Sequence, residues 1–599
     1  MTNNAPTGAV LISGTASQGN TLTASNSLED LDGIPVGGIG YQWYANDIAI
    51  SGATGSTYLL TYADAGTTIS VIASYQDDLG TNEAVASLPT DRVKVVDLVS
   101  NVLAAYRVPT LGLDGDEDID LTDPNLDIAR LLDLANGYTT GYLNAGAAIG
   151  VTGIASDLLL AYAYSNAAMI QGLGDEIIIL RDTTLDAATL NTLKTLSSGS
   201  VNAASINNFT GFVAELLAAY AAAQAGAISG LGNEAIFLAN STIEAADLNA
   251  LNAASTGVIN AGGVLSIRGG ANELTATFVA GLAGQIIGLG GETVVLTNID
   301  LDAATLNRIN GYSTGLINAA RIRLLSGLTA DLNRCYAAGL SGEIRGLGNE
   351  SVTLTDSILT AAGVSALVTI DSRTTGTIDA SSLTSLSGTL DQLNTLLRST
   401  GISGLVDQTL TLTNSTAALL AVTAANASTL QRAANGLSYR LSYTGSAGDD
   451  TFSGYGLADI LTGGNGADTL SGGDGADSFR YTALTQSLLT STTNPIVFAH
   501  DRLTDFQIGS DSIDGPIAVT AANVRELGAV SSLDATGLAA VLTTSTFLAN
   551  RAASFTLESE GATRTFVALN NSQNGYQASL DSIIEITGYS GNLTDLAIL

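Results

Sequence analysis

Residues 445–480 divide into four consecutive nine-residue segments, GSAGDDTFS, GYGLADILT, GGNGADTLS and GGDGADSFR. The sixth position is aspartate each time (Asp450, Asp459, Asp468, Asp477), and the eighth is a large apolar residue (Phe452, Leu461, Leu470, Phe479). This pattern suits the binding of a hard cation. Glycine tolerates positive φ, so the first half of each segment can turn tightly and expose backbone carbonyls. Calcium takes about six to eight oxygens from carboxylates and carbonyls, and such a turn supplies both. The candidate ligands are therefore the four aspartates together with the turn residues Gly448, Asn465, Gly466, Asp474 and Gly475. The second half reads as a short strand with one inward apolar side chain. A flexible acidic linker would not hold an apolar residue at one position through four segments. A phosphate-cradling glycine loop would need a helix N-terminus after the glycines, and none follows.

The third and fourth segments fit G-G-x-G-x-D-x-U-x, with U a large apolar residue, and so resemble the calcium-binding repeats of RTX (hemolysin-type) proteins. The resemblance implies a parallel β-roll in which two repeats make one turn. Repeats of the same parity would then stack, with Asp450 sharing an ion with Asp468 and Asp459 with Asp477. It also implies export by type I ABC machinery through an uncleaved C-terminal signal, and folding of residues 441 to 510 on calcium outside the cell. The second segment departs from the pattern, since Tyr455 and Leu457 replace glycines.

A second acidic run, Leu113 to Asp127, places Asp114, Asp116, Asp118 and Asp120 at alternate positions ahead of an apolar stretch from Ile128 to Leu134. These match positions 1, 3, 5 and 7 of an EF-hand-like or dockerin-like loop. Two departures weaken the match: Ile119 stands where glycine is needed for the sharp turn, and Asn125 where a bidentate glutamate belongs. The alternatives are a second calcium site or a solvated acidic linker.

The composition fits a protein bathed in divalent cations. Twenty-one basic residues stand against 56 acidic ones, a formal charge of −35, which disfavours nucleic acid and anionic membranes as partners. A single cysteine, Cys335, rules out an internal disulfide. The opening MTNNAPTGAVLISG has neither a basic n-region nor an apolar h-region, and no long apolar run is expected to span a membrane. The expected setting is extracellular or at the cell surface, without an N-terminal signal peptide.

Several elements must position these residues. Residues 1–95 read as a β-sandwich of short alternating runs. Its Tyr41-Gln42-Trp43-Tyr44 run, and the Asp64-x-Gly66 corner ahead of Ile69-Ser70-Val71, resemble immunoglobulin-like domains without their cysteines. Residues 96–137 read as a linker carrying the acidic loop. From 138 to 440 the chain repeats: G-L-G-x-E recurs at Gly172, Gly230, Gly288 and Gly346, 58 residues apart, with a degenerate copy from Gly404 to Gln408. Each unit holds two strand–helix halves, the helices marked by Leu190, Leu248 and Leu306 and by Leu158, Leu216, Leu274 and Leu332. That predicts a solenoid of α/β type, or else an all-β helix with short helical turns, with about 29 residues per turn. An aromatic column (Tyr162, Tyr220, Phe278, Tyr336) lies four residues after the second-helix leucines and reads as core rather than as a sugar platform. An acidic column (Glu176, Glu234, Glu292, Glu350) reads as turn or cap residues, since its members would lie roughly 10 Å apart.

After the β-roll segment, 441–482, residues 483–599 read as a β-rich C-terminal domain. Asp501-Arg502-Leu503-Thr504-Asp505-Phe506 and Gly509 to Asp514 are similar to the block that follows RTX repeats in many secreted proteins. That similarity makes Asp501 and Asp505 further metal candidates. The extension through Ile583–Leu593 resembles the bluetail domain of cyanobacterial surface proteins.

Enzymatic readings find little support. His500 is the only histidine, so H-E-x-x-H zinc chemistry is excluded. Gly311-Tyr312-Ser313-Thr314-Gly315 matches G-x-S-x-G, but Gly137-Tyr138-Thr139-Thr140-Gly141 is its repeat equivalent, so Ser313 reads as a turn residue. No catalytic residues are assigned. The expectation is a secreted calcium-binding protein with structural or adhesive work, whose partners beyond calcium and the exporter would be surface polysaccharide or like copies. The alternative is a polysaccharide hydrolase or lyase built on the solenoid.

Overall fold

The computed structural model describes residues 2–405, 408–412, 440–445, 447–454, 458–491 and 498–599. The protein is multidomain and mainly β and α/β, with stacked parallel sheets and strands outweighing helices, about 32% against 25%. Residues 1–268 and 272–290 form one compact unit; residues 269–271 and 291–599 form another.

The first unit opens with two antiparallel sheets. One holds Val10–Ser13, Thr21–Asn26 and Thr57–Leu59; the other holds Gly40–Ala45, Ile48–Ala49, Ile69–Gln76 and Asn82–Ala86. Alternation along these strands buries Leu22, Trp43, Ile69, Val71 and Ala73 in a common core. The indole of Trp43 donates to the Gly55 carbonyl at 2.8 Å. Asp64 is buried at the corner, where it accepts from the Tyr58 hydroxyl and the Thr61 amide.

Parallel coils begin at once after this sandwich. Val95–Asp97 pairs with Ile119–Leu121, which pairs with Leu143–Asn144. Asn125–Asp127 pairs with the strand Gly150–Gly153. Residues 96–137 are thus the first coil of the solenoid and not a linker. Each leucine column lies on a helix, as in Ala187–Leu196 and Val213–Gln224, with Leu190 and Leu216 fully buried. The Asp-Ala-Ala runs start alternate helices because the aspartate caps them: Asp186 accepts from the Thr189 amide at 2.9 Å. The other helices take their cap from further along the chain. The Val213 amide donates to Asn240, and the Ala155 amide to Asp182, each 27 residues on.

The coil is shorter than half the sequence period. Asn208 pairs with Ala235 and Ile236 with Ile259, offsets of 27 and 23 residues where about 29 is expected. The elements therefore precess, and the five-stranded sheet beginning at Asn125 is followed by another beginning at Thr184. Glycine is obligatory where coils touch. A Cβ on Gly257 would lie 1.9 Å from the Glu234 carbonyl oxygen.

The second unit contains further coils of the same kind. Asp300–Asp302, Leu324–Gly327, Ser351–Leu354, Ile378–Asp379 and Ile402–Ser403 form one parallel sheet. A seven-stranded sheet then runs Ile358–Leu359, Ser385–Gly388, Thr409–Leu412, Arg440–Thr444, Ile460–Thr462, Ser478–Arg480 and Ser512–Asp514. The solenoid and the nine-residue repeats therefore share hydrogen-bonded strands. The opposite sheet holds Thr451–Ser453, Thr469–Ser471 and Asp501–Leu503, followed by the C-terminal strands Ser582–Glu585, Ala562–Leu569, Ala552–Ser559 and Val524–Val530. Phe547, Phe555, Phe566 and Ile583 centre the C-terminal core.

Candidate metal centre

Each nine-residue repeat ends in a three-residue strand with one inward apolar residue, and these residues, Phe452, Leu461, Leu470 and Phe479, are buried. Repeats one and three pair in parallel, Phe452 opposite Leu470; repeats two and four pair likewise, Leu461 opposite Phe479. The next rung on each side comes from the following domain: Leu470 pairs with Leu503 and Phe479 with Ile513. Tyr443 caps the apolar stack, its ring 4.1 Å from that of Phe452.

This stacking aligns the aspartates into two ladders. Asp468 Oδ1 accepts the Asp450 amide at 2.7 Å, and Asp501 Oδ1 accepts the Asp468 amide at 2.9 Å. On the other side Asp477 Oδ1 accepts the Asp459 amide at 2.8 Å, and Asp511 Oδ1 accepts the Asp477 amide at 3.1 Å. Asp450, Asp459, Asp468, Asp477 and Asp501 are all at most 2% exposed. One oxygen of each rung is thus spent on the backbone. The other oxygen, Oδ2, of Asp468, Asp477 and Asp501 is buried with no hydrogen-bond partner.

Such an oxygen is costly unless a cation or proton meets it. Burial, with the charges of Asp450 and Asp449, pushes the Asp468 carboxyl up to about 7. Burial and Asp468 push Asp501 up to about 8. Backbone oxygens lie beside the carboxylates. A Cβ on Gly445 would sit 1.9 Å from the Gly463 carbonyl oxygen and 2.5 Å from Asp450 Oδ2. A Cβ on Gly454 would meet the Gly472 carbonyl and Asp459 Oδ2, each at 2.3 Å. The first-position glycines are therefore fixed by a space shared between a carboxylate and the carbonyl of the next turn. Carboxylate plus carbonyl is the donor set that calcium takes, so these residues fit the ion.

The remaining candidates are distributed around the turns. Gly466 and Gly475 have positive φ, and Asn465 and Asp474 are exposed on the turn tips. A Cβ on Gly466 would lie 2.6 Å from the Gly448 carbonyl oxygen, so these two turns stack in contact. Asp505 accepts from the Gly472 and Gly473 amides at 2.9 and 2.8 Å and from the Ser471 hydroxyl at 2.6 Å. Tyr455 and Leu457 lie outside the described residues. Asp511 is the rung that motif reading passed over; its signal is an aspartate two residues before an apolar strand residue, as in the repeats themselves.

The acidic loop at 114–120 is arranged differently from an EF-hand. Asp114, Asp116 and Glu117 come within 4.8 Å of one another, the one such acidic group among the described residues. Glu117 is fully buried, and its carboxylate accepts from the Tyr106 hydroxyl and the Asp114 and Gly115 amides. Asp116 pairs with Arg92 at 2.5 Å. Asp118 instead accepts the Tyr142 amide, and Asp120 accepts from Asn144 and pairs with Lys94, so neither joins the cluster. Burial at 117, 119 and 121 alternates with partial exposure at 118 and 120, the period of a strand.

The aromatic and acidic columns form one structure. The hydroxyls of Tyr162, Tyr220 and Tyr336 donate to Glu176, Glu234 and Glu350, and these glutamates are at most 2% exposed. Each glutamate also accepts two amides of its own turn, as Glu350 does from Gly348 and Asn349. Burial and the facing carboxylate raise these phenols above their ordinary range. Ser313 donates to the Glu292 carbonyl and accepts the Gly315 amide, a turn role repeated at Ser197. His500 is buried and bonded to Glu585, which Arg564 also holds.

Comparison against protein-family models found no match, and no curated protein matched the chain.

Proposed function

We propose that this is a calcium-binding extracellular or cell-surface protein of RTX type, whose stacked repeats fold on calcium after export and serve structural or adhesive work. The N-terminal sandwich is read as an Ig-like spacer, and the C-terminal domain as bluetail-like and carrying a type I secretion signal. The observation that carries this reading is the pair of aspartate ladders, with buried, unpartnered Oδ2 atoms on Asp468, Asp477 and Asp501 beside stacked turn carbonyls. Calcium there would be held by the aspartates of adjacent rungs and by glycine carbonyls, neutralising charge that otherwise opposes the fold. Ligand that binds only the folded chain stabilises it, so millimolar external calcium would complete the fold, while the low calcium of the cell interior would leave the repeats open for export. The charge of −35 suits that role, and among the described residues no helix is long and apolar enough to cross a membrane.

The test is hydrogen exchange of the full chain, resolved by peptide. Peptides within 445–480 should exchange freely in excess chelator and become protected in millimolar calcium. Equal protection in chelator, or a calcium response unchanged by Asp468→Asn with Asp477→Asn, would refute the reading.

A further inference from the structure

We propose that the last repeat and the segment after it build a further calcium site, from Asp474, Asp477, Asp505 and Asp511, which fastens the C-terminal domain to the end of the repeat stack. This rests on the calcium reading of the repeats and extends it to a junction that the repeat pattern does not describe. Asp511 stands to Asp477 as Asp477 stands to Asp459: its Oδ1 accepts the amide one rung back, at 3.1 Å against 2.8 Å. Asp477 Oδ2 is buried and without a hydrogen-bond partner at this last rung, with Asp477 1% exposed. Three further carboxylates, Asp511, Asp505 and Asp474, exert their charge on Asp477. The ion pair in this region, Arg480 with Asp514 at 2.7 Å, is made elsewhere, on half-exposed side chains.

The surrounding geometry is that of a formed site. Asp511 Oδ2 is held by the Gln507 amide at 2.8 Å, and Asp505 by the Gly472 and Gly473 amides. Ser510 donates to the Gly475 carbonyl at 2.7 Å, which seats the incoming segment on the turn of the fourth repeat. Four carboxylates held by backbone amides at a turn of exposed carbonyls present oxygen alone, in an irregular arrangement that suits calcium better than the octahedral demands of magnesium. The two contributing segments lie 34 residues apart in sequence along the Asp477–Asp511 bond. An ion here would therefore close a loop between two domains, whereas an ion within the repeats joins neighbouring turns.

The experiment is calcium content per chain, measured on the full-length protein after equilibration in millimolar calcium and gel filtration, for the wild type, Asp511→Asn, Asp505→Asn and Asp514→Asn. Hydrogen exchange of peptides 445–480 and 582–599 is followed in parallel. Asp511→Asn and Asp505→Asn should each carry one calcium fewer, keep the protection of the repeats, and lose protection at 582–599. Asp514→Asn, which removes the same charge at the neighbouring strand, should keep the full complement. A wild type without calcium would overturn the reading of the repeats, and this site with it. A wild type rich in calcium with an unchanged count in Asp511→Asn would overturn the junction site alone. Loss of every calcium and of repeat protection in both variants would also overturn it, since the residues would then matter to the whole stack and not to a separate site.

Discussion

In calcium-free solution, acidification should stabilise the nine-residue repeats. The Asp468 and Asp501 carboxyls are pushed by burial up to about 7 and about 8, against an ordinary 3.8. From about pH 4 upward the unfolded chain has released these protons while the folded chain still holds them. The folded state then binds more protons, so stability falls as pH rises and levels off only above the folded values. A tenfold change in proton affinity is worth about 1.4 kcal/mol, which makes Asp468 worth on the order of 4 kcal/mol. Asp501 is of the same order, but the two raise one another, so a sum would count their repulsion twice. Roughly 5 kcal/mol for the ladder, gained between about pH 8 and about pH 5, is the working figure. The assay is hydrogen exchange of peptides in 445–514 in excess chelator, corrected for the intrinsic effect of pH on exchange. Protection should grow on acidification, and Asp468→Asn, which mimics the protonated form, should flatten the response. In saturating calcium the sign should reverse, because protons then compete with the ion for the same oxygens. Protection that is flat, or that rises with pH in chelator, would refute the argument that the buried carboxylates oppose the metal-free fold.

Three further outcomes follow from the coils. Tyr336→Phe should cost about 2 kcal/mol, the range for a hydrogen bond to a charged group, because Glu350 keeps its two turn amides; exchange of peptides 329–354 reads the loss. Gly257→Ala should cost at least about 3 kcal/mol, since the added carbon would fall 1.9 Å from a carbonyl oxygen, and local unfolding in urea measures it. Asp356→Ala should cost about 1–2 kcal/mol by uncapping the helix Thr329–Ser341, where Asp356 accepts both the amide and the hydroxyl of Thr329 at 2.7 Å. Fraying of peptides over 329–335 would show it, and undisturbed exchange there would refute the capping role.

Much of this architecture was legible in the residues, and the misreadings have physical causes. The leucine columns identify helices because apolar residues recurring every 3.6 positions put one face of a helix, and of little else, into a core. The solenoid glutamates read as surface turn residues because acids are rarely buried unpaired. Their constant distance of 14 residues from the tyrosine column is the signal that they are paired and inside. The run from Asp114 to Asp120 satisfies two templates at once, a metal loop and an alternating strand; Ile119, fully buried, decides for the strand. Halving the 58-residue period gives 29 residues per coil, but sequence repetition measures when the pattern recurs, not when the chain closes a turn. In the repeats, the aspartate and apolar positions mark the strands correctly, while Asp511 lies beyond the repeat register and became visible only through its amide partner.

The capping arrangement also limits how the solenoid can change in length. The helix at Ala155 is completed by Asp182 and the helix at Val213 by Asn240, while the helices at Ala187 and Ala303 carry their own caps at Asp186 and Asp302. Self-capped and downstream-capped helices alternate, so the smallest segment that can be duplicated or excised without leaving a cap unmatched is a whole 58-residue period. Loss of one period rejoins like to like at every cap and at every glycine that meets a carbonyl. Loss of 29 residues sets a helix that needs a downstream partner against a strand that does not supply one. Copy number along this chain can therefore drift in steps of 58 residues, and the constant spacing of Gly172, Gly230, Gly288 and Gly346 is the trace of that rule in the sequence.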